Sequence, residues 1–153
     1  PETVELVELV HETARPYAEL RTHRFQEEFV APMSETFRHA LLPEEVDGAR
    51  ALPWFRGIAA DGDPVGFVML ALVTETFPHP YLWRFLIDRW HQRRGIGGRV
   101  MTMLTEQLRQ EGHERLMLSW GQGPGSPELF YRRLGFEPTG NMIDHEFEAA
   151  LVL

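Results

Sequence analysis

The residues best suited to chemistry lie in a short segment, positions 89 to 99, that is rich in glycine and arginine. Its glycines and arginines are Gly95, Gly97 and Gly98, and Arg89, Arg93, Arg94 and Arg99. A glycine-rich turn that leads into a helix directs several unpaired backbone N–H groups at one point, and the missing Cβ atoms let a phosphate approach the main chain. The segment therefore indicates an anion site, and the plain alternative is a tight turn with a solvated basic flank.

Other kinds of catalytic site are excluded because the residues they need are missing. The 153 residues include no cysteine, and all 15 basic residues are arginine. Thiol nucleophiles, Cys-ligated zinc, P-loop and kinase lysines and Schiff-base lysines therefore have no counterpart in this chain. The seven histidines lack metal-ligand spacing and no GxSxG segment occurs, so we expect no metal ion and no acyl-enzyme.

Length and composition predict a single domain over residues 1–153. Hydrophobic side chains make up 43 % of the chain, and no repeat or linker divides it. No apolar run approaches the roughly 18 residues of a membrane span and no leader precedes Pro1, so we expect a cytoplasmic protein without membrane contact. The net charge is −8, and residues 1–48 carry 11 Asp/Glu against 4 Arg. This acidity disfavours nucleic acid and favours cationic partners, or else forms a solubilising face.

Hydrophobic periodicity and breaker residues predict the elements that must hold the glycine segment. Strands are expected at residues 3–10, 54–60, 65–74, 81–87, 115–119 and 141–153, and also at Phe136. Helices are expected at 11–20, at 24–42 with a break at Pro32, at 97–111 and at 126–134, and loops at 43–53 and 75–80. Ser126 is the expected N-cap of the last helix and Pro127 its first residue. The glycine segment thus joins a buried strand to the clearest helix of the chain.

Two motifs, in this order, give the chain a family resemblance. Gln92-Arg93-Arg94-Gly95-Ile96-Gly97 follows a strand that ends Phe85-Leu86-Ile87-Asp88, and Phe130-Tyr131-Arg132-Arg133-Leu134-Gly135-Phe136 comes about forty residues later. They resemble the Q/R-x-x-G-x-G/A loop and the Y-x-x-x-G-F segment of the GNAT family of N-acetyltransferases. The resemblance covers the whole chain and implies an α/β (α+β) GNAT fold, a single mixed, mostly antiparallel sheet with splayed central strands and flanking helices. Residues 83–88 and 125–140 look most like bacterial diamine or polyamine acetyltransferases.

The resemblance implies acetyl-CoA as the cosubstrate and assigns the glycine segment to its pyrophosphate. The backbone N–H groups that would hold the pyrophosphate belong to Arg93, Arg94, Gly95, Ile96, Gly97 and Gly98. The side chains of Arg93, Arg94 and Arg99 would add positive charge, and Gln92 would shape the loop.

The strand before this loop is implied to hold the pantetheine arm. Main chain at Leu86, Ile87 and Asp88 would pair with the arm, and one N–H there would polarise the thioester carbonyl. The chain has Pro124 and Pro127 where many members place an asparagine and a small residue. Ser126 is then the local candidate for a polar contact with the arm.

Tyr131 is implied to be the general acid. A phenol of pKa about 10 within hydrogen-bond reach can protonate a departing CoA thiolate. Without the resemblance, Tyr131 would be interpreted as a buried aromatic residue of its helix. The general base is not determined, and Glu75 and His79, in the loop before strand 81–87, are the first candidates, followed by Glu35.

The acceptor is implied to enter between that loop and the acidic N-terminal helices. Glu28, Glu35 and His79 are the expected substrate contacts, and Glu27 cannot face the same pocket as its neighbour Glu28. The expected activity is direct transfer of an acetyl group to a small primary amine, such as a diamine or polyamine. Transfer to an aminoglycoside, an amino acid or a protein N-terminus stays open, as does a non-catalytic acyl-CoA-binding, sensor or phosphate-binding domain. The apolar end at 147–153 allows a homodimer.

Overall fold

The computed structural model describes residues 1–42, 45–46, 49–50, 52–74 and 78–153, and only the backbone of the two pairs at 45–46 and 49–50. Glu75 and the middle of the loop around it lie outside these ranges.

A central sheet of seven strands in the order β1-β4-β5-β6-β7-β9-β8 organises the molecule. Its strands are β1 (Val4–Val7), β4 (Pro53–Ala60), β5 (Asp63–Ala71), β6 (Tyr81–Ile87), β7 (Arg115–Trp120), β8 (Glu137–Ile143) and β9 (Glu146–Val152). The short strands β2 (Glu45–Val46) and β3 (Ala49–Arg50) pair with each other, where the sequence predicts only a loop.

The sheet is antiparallel except at one junction, as the sequence predicts. The β4–β5 hairpin turns at Asp61 and Gly62, whose φ angles of 50° and 85° suit a tight two-residue turn. β6 and β7 run parallel and share a single Cα pair, Tyr81 with Met117. The two strands therefore separate beyond their first residues, which confirms the expected splay at the centre of the sheet.

Alternating side chains of β5 divide the core between the two faces of the sheet. Val68 and Leu70 belong to a cluster that includes the buried side of helix α3 (Ile96–Gln110). Phe67 and Met69 belong to a second cluster with Met33 on helix α2 (Met33–Leu41). Because successive side chains of a strand point to opposite faces, one central strand supports both layers.

The N-terminal helices are shorter than the sequence predicts. Helix α1 spans His11–Ala18, and residues 24–26 form only one 3-10 turn. Pro32 takes the N-cap position of α2, with ψ at 156°, so the helical segment restarts there rather than continuing from residue 24. The stretch between the turn and α2 is irregular and lies across the central cavity described below.

Candidate active site

A cavity of about 1160 Å³ occupies the space that opens where β6 and β7 separate. Pockets for a single small ligand commonly have about 300 to 1,000 Å³, so this cavity lies just above that range. Its walls come from β6, from the start of α3, from helix α4 (Glu128–Arg133) and from the β8–β9 hairpin. Residues near the 3-10 turn, among them Gln26 and Phe29, cover part of it.

One end of the cavity is built from the backbone of the glycine segment. Gly95 is the N-cap of α3 in a left-handed conformation, with φ of 76°, and no side chain caps the helix. The first N–H groups of α3 therefore lack the partner that a capping side chain supplies elsewhere. A Cβ atom at Gly98 would meet no protein atom within 4 Å, and Gly98 lines the cavity. This end can accept an anion directly on the main chain.

Gln92 connects the loop to two other parts of the molecule. Its Nε2 donates to the Ile87 carbonyl at 2.9 Å and to Gln26 Oε1 at 2.8 Å, while Gln26 Nε2 donates back to Gln92 Oε1 at 3.1 Å. The Asp88 carboxylate accepts the Arg21 amide at 2.9 Å. The glycine segment is thus held in place by hydrogen bonds to residues near the N-terminus that the sequence motif does not contain.

The three residues expected to pair with the pantetheine arm do not all face the cavity gap. The Asp88 amide donates to the Val65 carbonyl of β5 at 2.7 Å, and Asp88 is not among the residues that line the cavity. Because backbone groups alternate sides along a strand, those of Leu86 also point to β5, and those of Ile87 and Phe85 point away from it. The structure therefore presents Ile87, and adds Phe85, which the sequence argument missed.

The three arginines expected to add charge are placed differently from one another. Arg93 lines the cavity and has a φ of 61°. Arg94 donates to Nδ1 of His91 at 3.1 Å and is itself exposed. Arg99 donates to the carbonyls of Pro1 and Glu2 at 2.9 and 3.2 Å, so its guanidinium is committed to the N-terminus and not to the anion end. The sequence assigns the Arg99 side chain to the pyrophosphate, and in this structure the side chain contacts the first two residues instead.

Tyr131 lies inside the cavity wall, 7 % exposed. Its ring stacks on Trp120 and meets Phe130 and Phe136 edge to face. Burial raises the pKa of Tyr131, with a smaller contribution from the Glu146 carboxylate. Among the described residues the hydroxyl has no hydrogen-bond partner. The phenol is therefore neutral and available to donate a proton into the cavity.

Ser126 lines the cavity but is not the N-cap of α4. Pro127 occupies that position and the helix begins at Glu128, one residue later than predicted. The Ser126 hydroxyl still accepts the Glu128 amide at 3.2 Å and donates to the Gly121 carbonyl. These bonds fix the turn between β7 and α4.

The residues expected to meet the acceptor are only partly brought together. His79 lines the cavity, whereas neither Glu28 nor Glu35 is among the described residues that do so. Glu27 points at Arg21, 3.3 Å away, in an exposed ion pair. Glu75 lies outside the described residues.

Acidic residues that the sequence argument missed line the other end of the cavity. They are Asp144, Glu146 and Glu148, on the β8–β9 turn and on β9. Tyr81 and Ser119 lie beside them, and burial together with these carboxylates raises the pKa of Tyr81 to about 12. The spacing i, i+2 places Glu146 and Glu148 on one side of β9 and was the available signal, whereas Asp144 lies in the turn before the strand.

The described part of the chain contains neither a membrane-spanning helix nor a metal-binding cluster. None of its helices is long and apolar enough to cross a bilayer. None of its groups of three or more His, Asp or Glu side chains is arranged to hold a metal ion.

Comparison with known proteins yields one family match. The model of the acetyltransferase (GNAT) family matches residues 14–136, most of the chain. A search of curated proteins finds none that matches in sequence.

Solved structures show the same fold along the whole chain. PaiA N-acetyltransferase from Thermoplasma acidophilum, in complex with coenzyme A, has a TM-score of 0.72 at 15 % identity and 99 % coverage of both chains. An aminoglycoside 6'-N-acetyltransferase complexed with coenzyme A has a TM-score of 0.68 at 14 % identity, covering 98 % of this chain and 96 % of its own. The ribosomal-protein-S18-alanine N-acetyltransferase from Escherichia coli has a TM-score of 0.64 at 16 % identity, covering 99 % and 93 %. At such identities the likeness establishes the fold.

Proposed function

Because the chain belongs to the acetyltransferase (GNAT) family, an acyltransferase family, we propose that it moves an acetyl group from acetyl-CoA directly to a primary amine of a small molecule, a diamine or polyamine being the first candidate. The observation that carries the proposal is a single cavity with a backbone anion site at one end and the buried Tyr131 hydroxyl in its wall. Structures of the same fold contain coenzyme A, which supports the choice of donor.

The anion end suits the pyrophosphate of acetyl-CoA. The main chain around Gly95 and Gly98, where a Cβ atom would meet no protein atom, supplies N–H donors at the positive end of the α3 dipole, and Arg93 adds a full charge. The side of β6 that presents Phe85 and Ile87 can pair with the amide groups of the pantetheine arm as an additional strand would. An N–H on that edge is the expected donor to the thioester oxygen as negative charge develops there.

The reaction balances with Tyr131 as the general acid. The neutral amine attacks the thioester carbon, a C–N bond forms, and the C–S bond breaks as the tetrahedral intermediate collapses. Tyr131 gives its proton to the departing thiolate, and the proton lost from the new amide nitrogen restores the phenol. The proton that the ammonium group loses before attack goes to a base that the described residues do not determine, with Glu75, His79, Glu35 and water as candidates.

The test is thiol release from acetyl-CoA in the presence of spermidine, 1,4-diaminobutane, an aminoglycoside, several amino acids and a short peptide. The protein adds no thiol background because it has no cysteine. We expect release with the cationic amines, and we expect Tyr131→Phe to lower kcat by about 100-fold or more while CoA affinity stays unchanged.

Two control variants sharpen the assignment of Tyr131. Tyr17→Phe changes another buried tyrosine, outside the cavity, and is expected to keep full turnover. Tyr81→Phe tests the rival acid in the same cavity. Loss of turnover in Tyr81→Phe with normal turnover in Tyr131→Phe would show that the acid is misassigned.

A second candidate function is acetylation of a protein N-terminus, which one relative of the same fold performs on a ribosomal protein. The peptide in the assay separates the two, because a small-molecule enzyme should prefer the free amines. Binding of CoA without release by any acceptor would favour the non-catalytic acyl-CoA-binding domain.

A further inference from the structure

The acidic end of the cavity has a built geometry. Asp144, Glu146 and Glu148 all line the cavity, at alternating positions of the β8–β9 hairpin. The Ser119 hydroxyl donates to Glu146 Oε1 at 3.0 Å across the β7–β9 pair. Thr139 Oγ1 and Asn141 Nδ2 donate to Glu148 Oε1 at 2.8 and 3.2 Å. In both glutamates one oxygen is held by neutral donors, which leaves the other to face a ligand.

The carboxylates at the acidic end form no ion pair with another described residue. Like charges that share a concave wall raise one another's free energy, and a bound cation relieves that repulsion. The basic residues of the lining, such as Arg93, belong to other elements.

A second observation in the same cavity also points to a ligand. The Tyr131 side chain is more than nine-tenths buried, and among the described residues its hydroxyl has no hydrogen-bond partner. A hydroxyl that lines a cavity without a protein partner can exchange a hydrogen bond with an amine that enters the cavity. The carboxylates and this hydroxyl therefore face a common space.

The wall between them is apolar and aromatic. The Phe29 ring lies 3.2 Å from the position that a Cβ at Gly121 would take, and Glu146 Oε2 lies 3.8 Å from the same position. Phe29 and Tyr81 thus stand beside the carboxylates, where an aromatic face attracts a cation and packs against methylene groups. Acidic ligands do not match this combination, whereas an alkyl chain between ammonium groups does.

We propose that Glu146 and Glu148 form a cation subsite that selects acceptors with at least two ammonium groups joined by methylene chains. One ammonium group binds to the carboxylates, and the reacting amine of the same molecule reaches toward Tyr131. Asp144 adds negative charge at the mouth of the subsite. This inference rests on the proposed function and names its substrate class and the residues that select it.

The test measures binding of spermidine by calorimetry to the protein saturated with CoA, which prevents turnover. Glu146→Gln and Glu148→Gln keep the side-chain shape and an oxygen acceptor but remove the charge. Glu137→Gln, on the same hairpin but exposed and outside the cavity lining, is the matched control. Butylamine, with one charge, and the neutral butanol probe the ligand side.

We expect each cavity variant to weaken spermidine binding about tenfold, with an effect of about 100-fold in the double variant if the two carboxylates act independently. Butylamine should lose less, and CoA affinity and melting temperature should stay at the parent values, which excludes misfolding. Equal spermidine affinity in the parent protein and in Glu146→Gln, or equal binding of butanol and spermidine by the parent, would overturn the proposal.

Two results separate a failure of the cation subsite from a failure of the proposed acetyltransferase activity. Thiol release with unchanged KM for spermidine in the Glu146→Gln variant refutes the subsite and leaves the acetyltransferase in place. Charge-dependent binding of spermidine without thiol release from any acceptor supports the subsite and refutes the proposed activity.

Discussion

The two ends of the cavity are built in different ways. The anion end is formed by main-chain N–H groups around Gly95 and Gly98, whereas the acidic end is formed by the side chains of Glu146 and Glu148. A backbone site needs residues without side chains, and a side-chain site needs neighbours that hold each carboxylate, here Ser119, Thr139 and Asn141. The first site should therefore be destroyed by adding atoms and the second by removing charge.

The largest effect is expected from Gly98→Leu. A side chain here meets no protein atom near its Cβ and projects into the anion end, so CoA affinity should fall about 100-fold, or about 2.8 kcal/mol. Stability should not fall, because leucine favours a helix over glycine by up to about 1 kcal/mol. Calorimetry with CoA and thermal melting measure both quantities.

The control for Gly98→Leu is Glu106→Leu, which places the same residue on the exposed side of α3 away from the cavity. It should bind CoA as the parent does. Unchanged CoA affinity in Gly98→Leu would mean that the anion end is not built from backbone, and the contrast between the two ends would disappear.

An intermediate effect is expected where the anion end does depend on side chains. Gln92→Leu removes the amide pair with Gln26 and the bond to the Ile87 carbonyl, and should cost about 1 to 2 kcal/mol in free energy of unfolding. Urea denaturation of Gln92→Leu, Gln26→Leu and the double variant gives the coupling between the two residues. Gln107→Leu, which changes an exposed glutamine of α3, should leave the free energy of unfolding within about 0.5 kcal/mol of the parent value.

If Gln92→Leu and Gln26→Leu were strictly additive, the paired amides would not act as a unit. The Gln26–Gln92 pair would then not be what fixes the shape of the loop.

The smallest effect is expected on the ionisation of the tyrosines. All three tyrosines of the chain have pKa values raised by burial, so little tyrosinate should form in the folded protein at pH 10. The pKa values of the tyrosines are higher in the folded chain than in the unfolded chain, so the neutral phenols stabilise the fold. This stabilisation is complete below about pH 10 and is lost as the pH rises beyond it. Absorbance titration in buffer and in urea measures the difference.

The same titration tests whether the acidic end of the cavity contributes to the pKa of Tyr81. Glu148→Gln should lower the pKa of Tyr81 from about 12, because this carboxylate contributes to the rise. Glu137→Gln should leave it unchanged. A Tyr81 pKa that does not move in Glu148→Gln would show that the Glu148 carboxylate does not contribute to it.

The fold and the anion end were accessible from sequence because they depend on local patterns. Three glycines at the start of an amphipathic helix are visible in the sequence, and the separation of β6 and β7 followed from the family resemblance. The direction of a backbone amide or of an arginine is not visible in this way. Asp88 and Arg99 differ from expectation because strand pairing and helix rotation decide which way they face.

The acidic end was missed for a different physical reason. Composition pointed to the N-terminal third, where the net charge is concentrated, yet Glu27 and Glu28 are exposed. What brings Glu146 and Glu148 into the cavity is the register of β9 against β7, with Ser119 opposite Glu148. Register depends on pairing between distant segments, and an alternation of three acids in thirteen C-terminal residues does not reveal its partner strand.

The single Cα pair between β6 and β7 also has a mechanical consequence. Backbone pairing joins the strands of a sheet, and among the junctions of this sheet the one between β6 and β7 has the fewest Cα pairs. Strands β1, β4, β5 and β6 on one side and β7, β9 and β8 on the other can tilt against each other about the Tyr81–Met117 contact. Such a tilt would widen or narrow the cavity, because residues of both β6 and β7 line it.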